Sequence, residues 1–101
     1  MNGNDDGSLP GGPVELPIDG TLDLHAFPPS AVKELVNDYL AACRDRGIGE
    51  VRIIHGKGIG ALKRTVHALL ARHPEVIEFH LDSELFSGSG ATIVRLRRRA
   101  A

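Results

Sequence analysis

The chain has 101 residues, 42% hydrophobic and 25% charged, with a formal net charge of -1. That length supports one core and no second domain, and no apolar run reaches the roughly 20 residues of a membrane span. The opening MNGNDDGSLPGG has neither the basic patch nor the apolar stretch of a secretory signal. A single cysteine, Cys43, can form neither an intramolecular disulfide nor a thiolate zinc cage, so a reducing, cytoplasmic setting without a membrane partner is expected.

The two halves differ in charge. Residues 1–50 hold nine acids against three bases, and residues 51–101 hold four acids against nine bases. A basic face drawn from the second half would suit an anionic partner such as nucleic acid. On charge alone, Arg97, Arg98 and Arg99 read equally well as a solvated tail. The aromatics are Phe27, Tyr39, Phe79 and Phe86, too few for a base-stacking platform.

Residues 1–17 mix Asn, Gly, Asp and Ser with Pro10, Pro13 and Pro17 and read as a flexible leader. The domain proper spans 18–97, followed by a basic tail, 98–101. Thr21-Leu22-Asp23-Leu24-His25 alternates like a short strand. Phe27-Pro28-Pro29 breaks it, and Ser30 is a candidate N-cap. Val32, Leu35, Val36, Tyr39, Leu40 and Cys43 then form one helical stripe, stopped by Gly47 and Gly49. The stripe position assigns Cys43 to core packing.

Val51-Arg52-Ile53-Ile54 reads as a second strand and runs into His55-Gly56-Lys57-Gly58-Ile59-Gly60. A second helix buries Leu62, Val66, Leu69 and Leu70, with Lys63, Arg64 and His67 pointing elsewhere, and ends at Pro74. Val76 to Leu81 forms a third strand, with Ile77, Phe79 and Leu81 on one face. A polar loop, 82–90, leads to a closing strand, Ala91 to Leu96. The order β-α-β-α-β-β predicts a two-layer α/β (α+β) sandwich, with two helices on one face of a four-stranded mixed sheet.

Ligands of a parallel β-α-β unit favour the carboxyl ends of its strands. Those ends carry Asp23-Leu24-His25 and His55-Gly56-Lys57-Gly58. On a strand, Asp23 and His25 share a face, so the carboxylate could orient the imidazole for proton transfer; the bland alternative is that Asp23 caps a loop. Gly56, Gly58 and Gly60 let backbone approach a ligand closely, and the loop empties into a helix N-terminus that suits an anion, with Lys57 adding charge. The spacing matches neither a P-loop nor a dinucleotide fingerprint. Ser87-Gly88-Ser89-Gly90-Ala91-Thr92 is a second amide-rich stretch, readable as a phosphate clamp or a plain connection.

A serine triad lacks a nucleophile elbow. A zinc site from Asp23, His25 and His55 lacks a closely spaced anchoring pair. His67, His73 and His80 read as surface or helix-end residues.

Leu22-Asp23-Leu24-His25, Ile53-Ile54-His55-Gly56-Lys57-Gly58 and Gly88-Ser89-Gly90-Ala91-Thr92-Ile93-Val94, in this order, resemble the small MutS-related (Smr) domain over residues 18–97. The resemblance is to the stand-alone kind. It implies a sandwich like the C-terminal domain of the third translation initiation factor. It also implies nucleic-acid binding, often with endonuclease activity, in DNA repair and recombination or in RNA and ribosome quality control. The functional motifs carry over to Asp23 and His25, and to His55, Gly56, Lys57 and Gly58. The fifth residue of the first motif is Ala26 where the family has glycine, and an added methyl would crowd a positive-φ turn or a phosphate.

The resulting expectation is a nucleic-acid-binding domain that cleaves phosphodiesters, with a non-catalytic structure-binding module as the alternative. Asp23, His25 and His55 would be catalytic. Gly56, Lys57, Gly58, Gly60, Lys63, Arg64, Gly88, Gly90 and Arg95 would hold phosphates. No cofactor is implied with certainty; a divalent ion, Mg or Mn, would need substrate phosphates to complete a site that has Asp23 as its one carboxylate. The residues carry no signal for DNA against RNA or for oligomeric state.

Overall fold

The structure is a computed structural model that describes residues 17–56, 60–82 and 90–98. The leader up to residue 16, Lys57, Gly58, Gly88 and Arg99 lie outside the described residues. The elements in chain order are β1 (Thr21–Asp23), 3-10 turns at Leu24–Ala26 and Pro29–Ala31, α1 (Val32–Asp45), β2 (Glu50–Ile54), α2 (Ala61–Arg72), β3 (Val76–Leu81) and β4 (Ala91–Leu96).

The strands lie in the order β1-β2-β4-β3. β1 and β2 run parallel, joined by the α1 crossover, while β4 is antiparallel to both β2 and β3. The α2 crossover therefore leaves a gap beside β2 that β4 fills.

Register decides which face is buried. Leu22 pairs with Ile53, Val51 with Val94 and Phe79 with Val94. These side chains meet Val32, Val36, Tyr39, Leu40 and Cys43 of α1 and Val66 and Leu70 of α2 in one core. The other face carries Thr21, Asp23, Glu50, Glu78, His80 and Arg95, all exposed. Two layers follow, with both helices on one side of the sheet, as the alternation predicts.

Local chemistry sets the helix ends. Gly47, at φ +78°, donates to Arg44 O, and Ile48 donates to Cys43 O at 2.9 Å, closing α1 in a Schellman motif. The Tyr39 hydroxyl accepts the Gly20 N–H at 3.1 Å and donates to Thr21 O at 2.9 Å, tying α1 to the start of β1. Burial raises the Tyr39 phenol and Cys43 thiol pKa values, which suits packing rather than reactivity.

Three local expectations are corrected. β1 stops at Asp23 because a 3-10 turn takes Leu24–Ala26. Ser30 is not the cap of α1: the chain enters through the Pro29–Ala31 turn, and Ala31 precedes the helix with no side-chain cap bond. Ile77 is 50% exposed, because a register shift between Val76 and Glu78 turns Val76 toward the core instead.

Candidate functional site

The parallel register sets Asp23 beside Ile54, so His25 and His55 leave β1 and β2 at one edge of the sheet. β4 begins at the same edge, with Ala91 paired to Ile54. The Gly90 carbonyl there accepts two N–H groups, from His55 at 3.0 Å and from Gly56 at 2.8 Å. Gly56 adopts φ +83°, a left-handed conformation that glycine reaches without strain. Its N–H, expected to face a phosphate, is instead committed to this clasp. Gly90 is buried and contributes its carbonyl to this clasp.

The His55 ring turns inward and is 8% exposed. Its Nε2 lies 2.8 Å from Thr92 Oγ1, and its Nδ1 lies 3.1 Å from the Gly56 carbonyl. Both ring nitrogens are thus engaged within the protein. His67, expected to point away, is half-buried, with its Nε2 also 2.8 Å from Thr92 Oγ1. The two imidazoles meet edge to face, centroids 6.1 Å apart, and His67 leans on Phe79 at 5.0 Å. Burial, together with the neighbouring His55 and Lys63, pushes the His67 pKa down.

Two signals pointed toward this cluster. Thr92 is the polar member of the inward series Thr92, Val94, Leu96, which demands a buried partner. His67 precedes Leu70 by three residues, so it borders the buried stripe of α2.

Asp23 and His25 are not the pair expected. Asp23 Oδ1 accepts the His25 backbone N–H at 2.9 Å, capping the 3-10 turn. With His25 in the turn, the two side chains no longer share a strand face, and the imidazole is exposed. Ala26 closes the same turn and is exposed. A right-handed 3-10 turn accepts its methyl without strain, so no positive-φ conformation is obstructed there.

α2 starts at the same edge. Gly60 precedes it at φ +87° with no side-chain cap, and its first turn contains no acid. Lys63 and Arg64 stand in that turn, at the positive end of the helix dipole, an arrangement that favours a bound anion. Arg95 is not part of this edge: it lies on the opposite sheet face and pairs with Glu78 at 2.9 Å.

His80 is exposed on that outer face. His73 Nδ1 accepts the Glu75 N–H at 3.1 Å at the far end of α2. Asp82, expected in a polar loop, is buried against Arg52 at 2.8 Å.

Among the described residues no group of three or more His, Cys, Asp or Glu is arranged to hold a metal ion. The donors at the edge do not build a cage: Asp23 caps a turn and His55 is bonded at both nitrogens. No described helix is long and apolar enough to cross a membrane.

The family model of the Smr domain matches residues 22–97. The sequence is 35% identical over 80 residues to Endonuclease MutS2 of Halothermothrix orenii, spanning 79% of this chain and 10% of that protein. It is 48% identical over 52 residues to Endonuclease MutS2 of Solidesulfovibrio magneticus, spanning 52% of this chain and 7% of that one. The chain therefore spans about a tenth or less of these relatives. The fold matches the crystal structure of the Smr domain of Thermus thermophilus MutS2, with TM-score 0.71 and 31% identity, over 76% of this chain and 96% of that one. It also matches YdaL, a stand-alone small MutS-related protein from Escherichia coli, with TM-score 0.71 and 27% identity, over 81% and 67%.

Proposed function

The chain belongs to the Smr domain family, and from that premise we propose that it binds nucleic acid at the carboxyl edge of its sheet and hydrolyses a phosphodiester there. The carrying observation is the uncapped start of α2, with Lys63 and Arg64 in its acid-free first turn, at the edge where His25 stands exposed. The relatives named as endonucleases support the same reading.

In this reading a phosphate approaches the amino end of α2. The unpaired N–H groups of a first helical turn and the Lys63 and Arg64 cations take its oxygens. The same groups stabilise the negative charge that builds on phosphorus as water attacks. Lys57, in the glycine loop, supplies a further cation. His25 takes the proton from the attacking water or gives one to the leaving oxygen. His55 does not touch the substrate; its two ring bonds tie Gly56 to Thr92 of β4. Among the described residues the edge donors fit no resident metal, so no step runs through one.

The test is cleavage of end-labelled single-stranded RNA, duplex DNA and branched DNA, each with EDTA, Mg²⁺ or Mn²⁺. His25→Ala is expected to cut roughly a hundredfold more slowly, in line with loss of general acid–base assistance, while still shifting the substrate. A wild type that shifts every substrate and cuts none overturns hydrolysis. That result selects the second reading, a non-catalytic module that recognises nucleic-acid structure. The engagement of both His55 ring nitrogens inside the protein favours that alternative.

A further inference from the structure

The hydroxyl of Thr92 is fully buried and sits 2.8 Å from two imidazole nitrogens, His55 Nε2 and His67 Nε2. A hydroxyl has one proton to donate and two lone pairs with which to accept, so at most one imidazole receives its proton and the other must supply its own.

The Gly56 carbonyl decides which. It can only accept, and it lies 3.1 Å from His55 Nδ1, so that nitrogen carries a hydrogen. A neutral His55 then has a lone pair on Nε2, which takes the Thr92 hydroxyl proton. The Thr92 oxygen is left to accept, so His67 must be protonated on Nε2. The bonds form a directed chain: His67 to Thr92, Thr92 to His55, His55 to Gly56. The chain ends on the residue whose N–H is clasped to Gly90 at 2.8 Å.

We infer that His67 is a positioning residue, which through Thr92 locks His55 in its Nδ1–H form and so holds the start of the glycine loop. The lock follows from proton counting. While His67 donates to Thr92 Oγ1, a His55 Nε2–H would take the oxygen's second lone pair and leave the hydroxyl proton no ring nitrogen to receive it. Removing the His67 donor ends that exclusion, and His55 gains access to its other tautomer.

The groups facing His67 fit the neutral state this requires. Phe79 of β3 covers one side, Thr92 and His55 the next, and Lys63 lies one turn back on α2. Among the described residues no carboxylate acts on the ring, and Lys63 disfavours a second cation. The consequence for turnover rests on the hydrolytic reading above, whereas the tautomer lock does not.

The experiment is long-range ¹H–¹⁵N spectroscopy of the imidazoles in the full chain, near neutral pH. The wild type is expected to show opposite tautomers, Nδ1–H for His55 and Nε2–H for His67. His67→Leu should give averaged His55 signals, and His67→Gln, which restores an N–H donor, should return them to the single form. Thr92→Val, matched in shape but without the hydroxyl, should act like His67→Leu, and the double variant should add nothing. Thermal melts of each variant establish that it is folded. The same tautomer on both rings, or a His55 spectrum unmoved in both folded variants, overturns the inference.

In the cleavage assay His67→Leu should lower kcat with KM unchanged, by up to roughly a hundredfold, the scale of misplacing a group by about 1 Å. His67→Gln should recover most of that loss. A hydrolysing wild type whose kcat is indifferent to His67→Leu overturns the functional half. A wild type that never cuts removes the hydrolytic reading, and the spectra still decide the lock.

Discussion

Asp23 Oδ1 accepts the backbone N–H of His25 at 2.9 Å, so the carboxylate caps the turn that lifts the histidine out of the sheet. A motif that reads as an acid orienting a base is here an acid shaping the backbone beneath the histidine. The distinction is measurable, because asparagine keeps the capping oxygen and lacks the charge. Asp23→Asn should retain stability and cleavage close to wild type. Asp23→Ala should lose about 0.5–1 kcal/mol and fall in activity as the turn loosens. Denaturant melts and initial rates on one substrate separate the two roles, and a collapse of rate in the folded Asn variant would restore the carboxylate to direct chemistry.

The location of the cations predicts an unequal salt response. Lys63 and Arg64 stand at the start of α2, whereas Arg95 pairs with Glu78 on the other face. Replacing Lys63 or Arg64 by glutamine should weaken binding and reduce the slope of log K against log salt by about 1 for each phosphate no longer neutralised. Arg95→Gln should leave that slope unchanged. Binding titrations across a salt series check this, and a slope that responds to Arg95 as strongly as to Lys63 would relocate the interface to the open sheet face.

The histidines also predict how stability depends on pH. Burial chiefly lowers the His67 pKa, with His55 and Lys63 acting in the same direction. His73 is lowered as well, again chiefly by burial, with Arg44 assisting against the opposing pull of Glu75. Below the ordinary histidine value of about 6.5, the unfolded chain therefore binds more protons than the folded one. The associated stability is complete above that pH and drains away as pH falls from it through the depressed folded values. Denaturant midpoints should drop between pH 7 and pH 5 in the wild type, and drop less in His67→Gln. An equal decline in both would place the sensitivity in other groups.

By itself the sequence determined the element order, both helical stripes, the Gly47 stop and the edge at which the two motifs meet. Those depend on periodicity, on glycine at positive φ and on the parallel crossover, all of them local or topological properties legible in one chain. Only the tertiary structure decided what the chemistry-bearing groups do. Whether Asp23 meets the His25 ring or its amide turns on one 3-10 turn, which two-residue alternation cannot distinguish from strand. Whether Gly56 offers its N–H to a ligand depends on Gly90, thirty-four positions on in the chain and adjacent only once β4 inserts. His67 and Thr92 are twenty-five residues apart, and neither motif names His67. Their hydrogen bond exists because α2 lies on the sheet face where Thr92 points inward, and burial then obliges every polar atom there to find a partner.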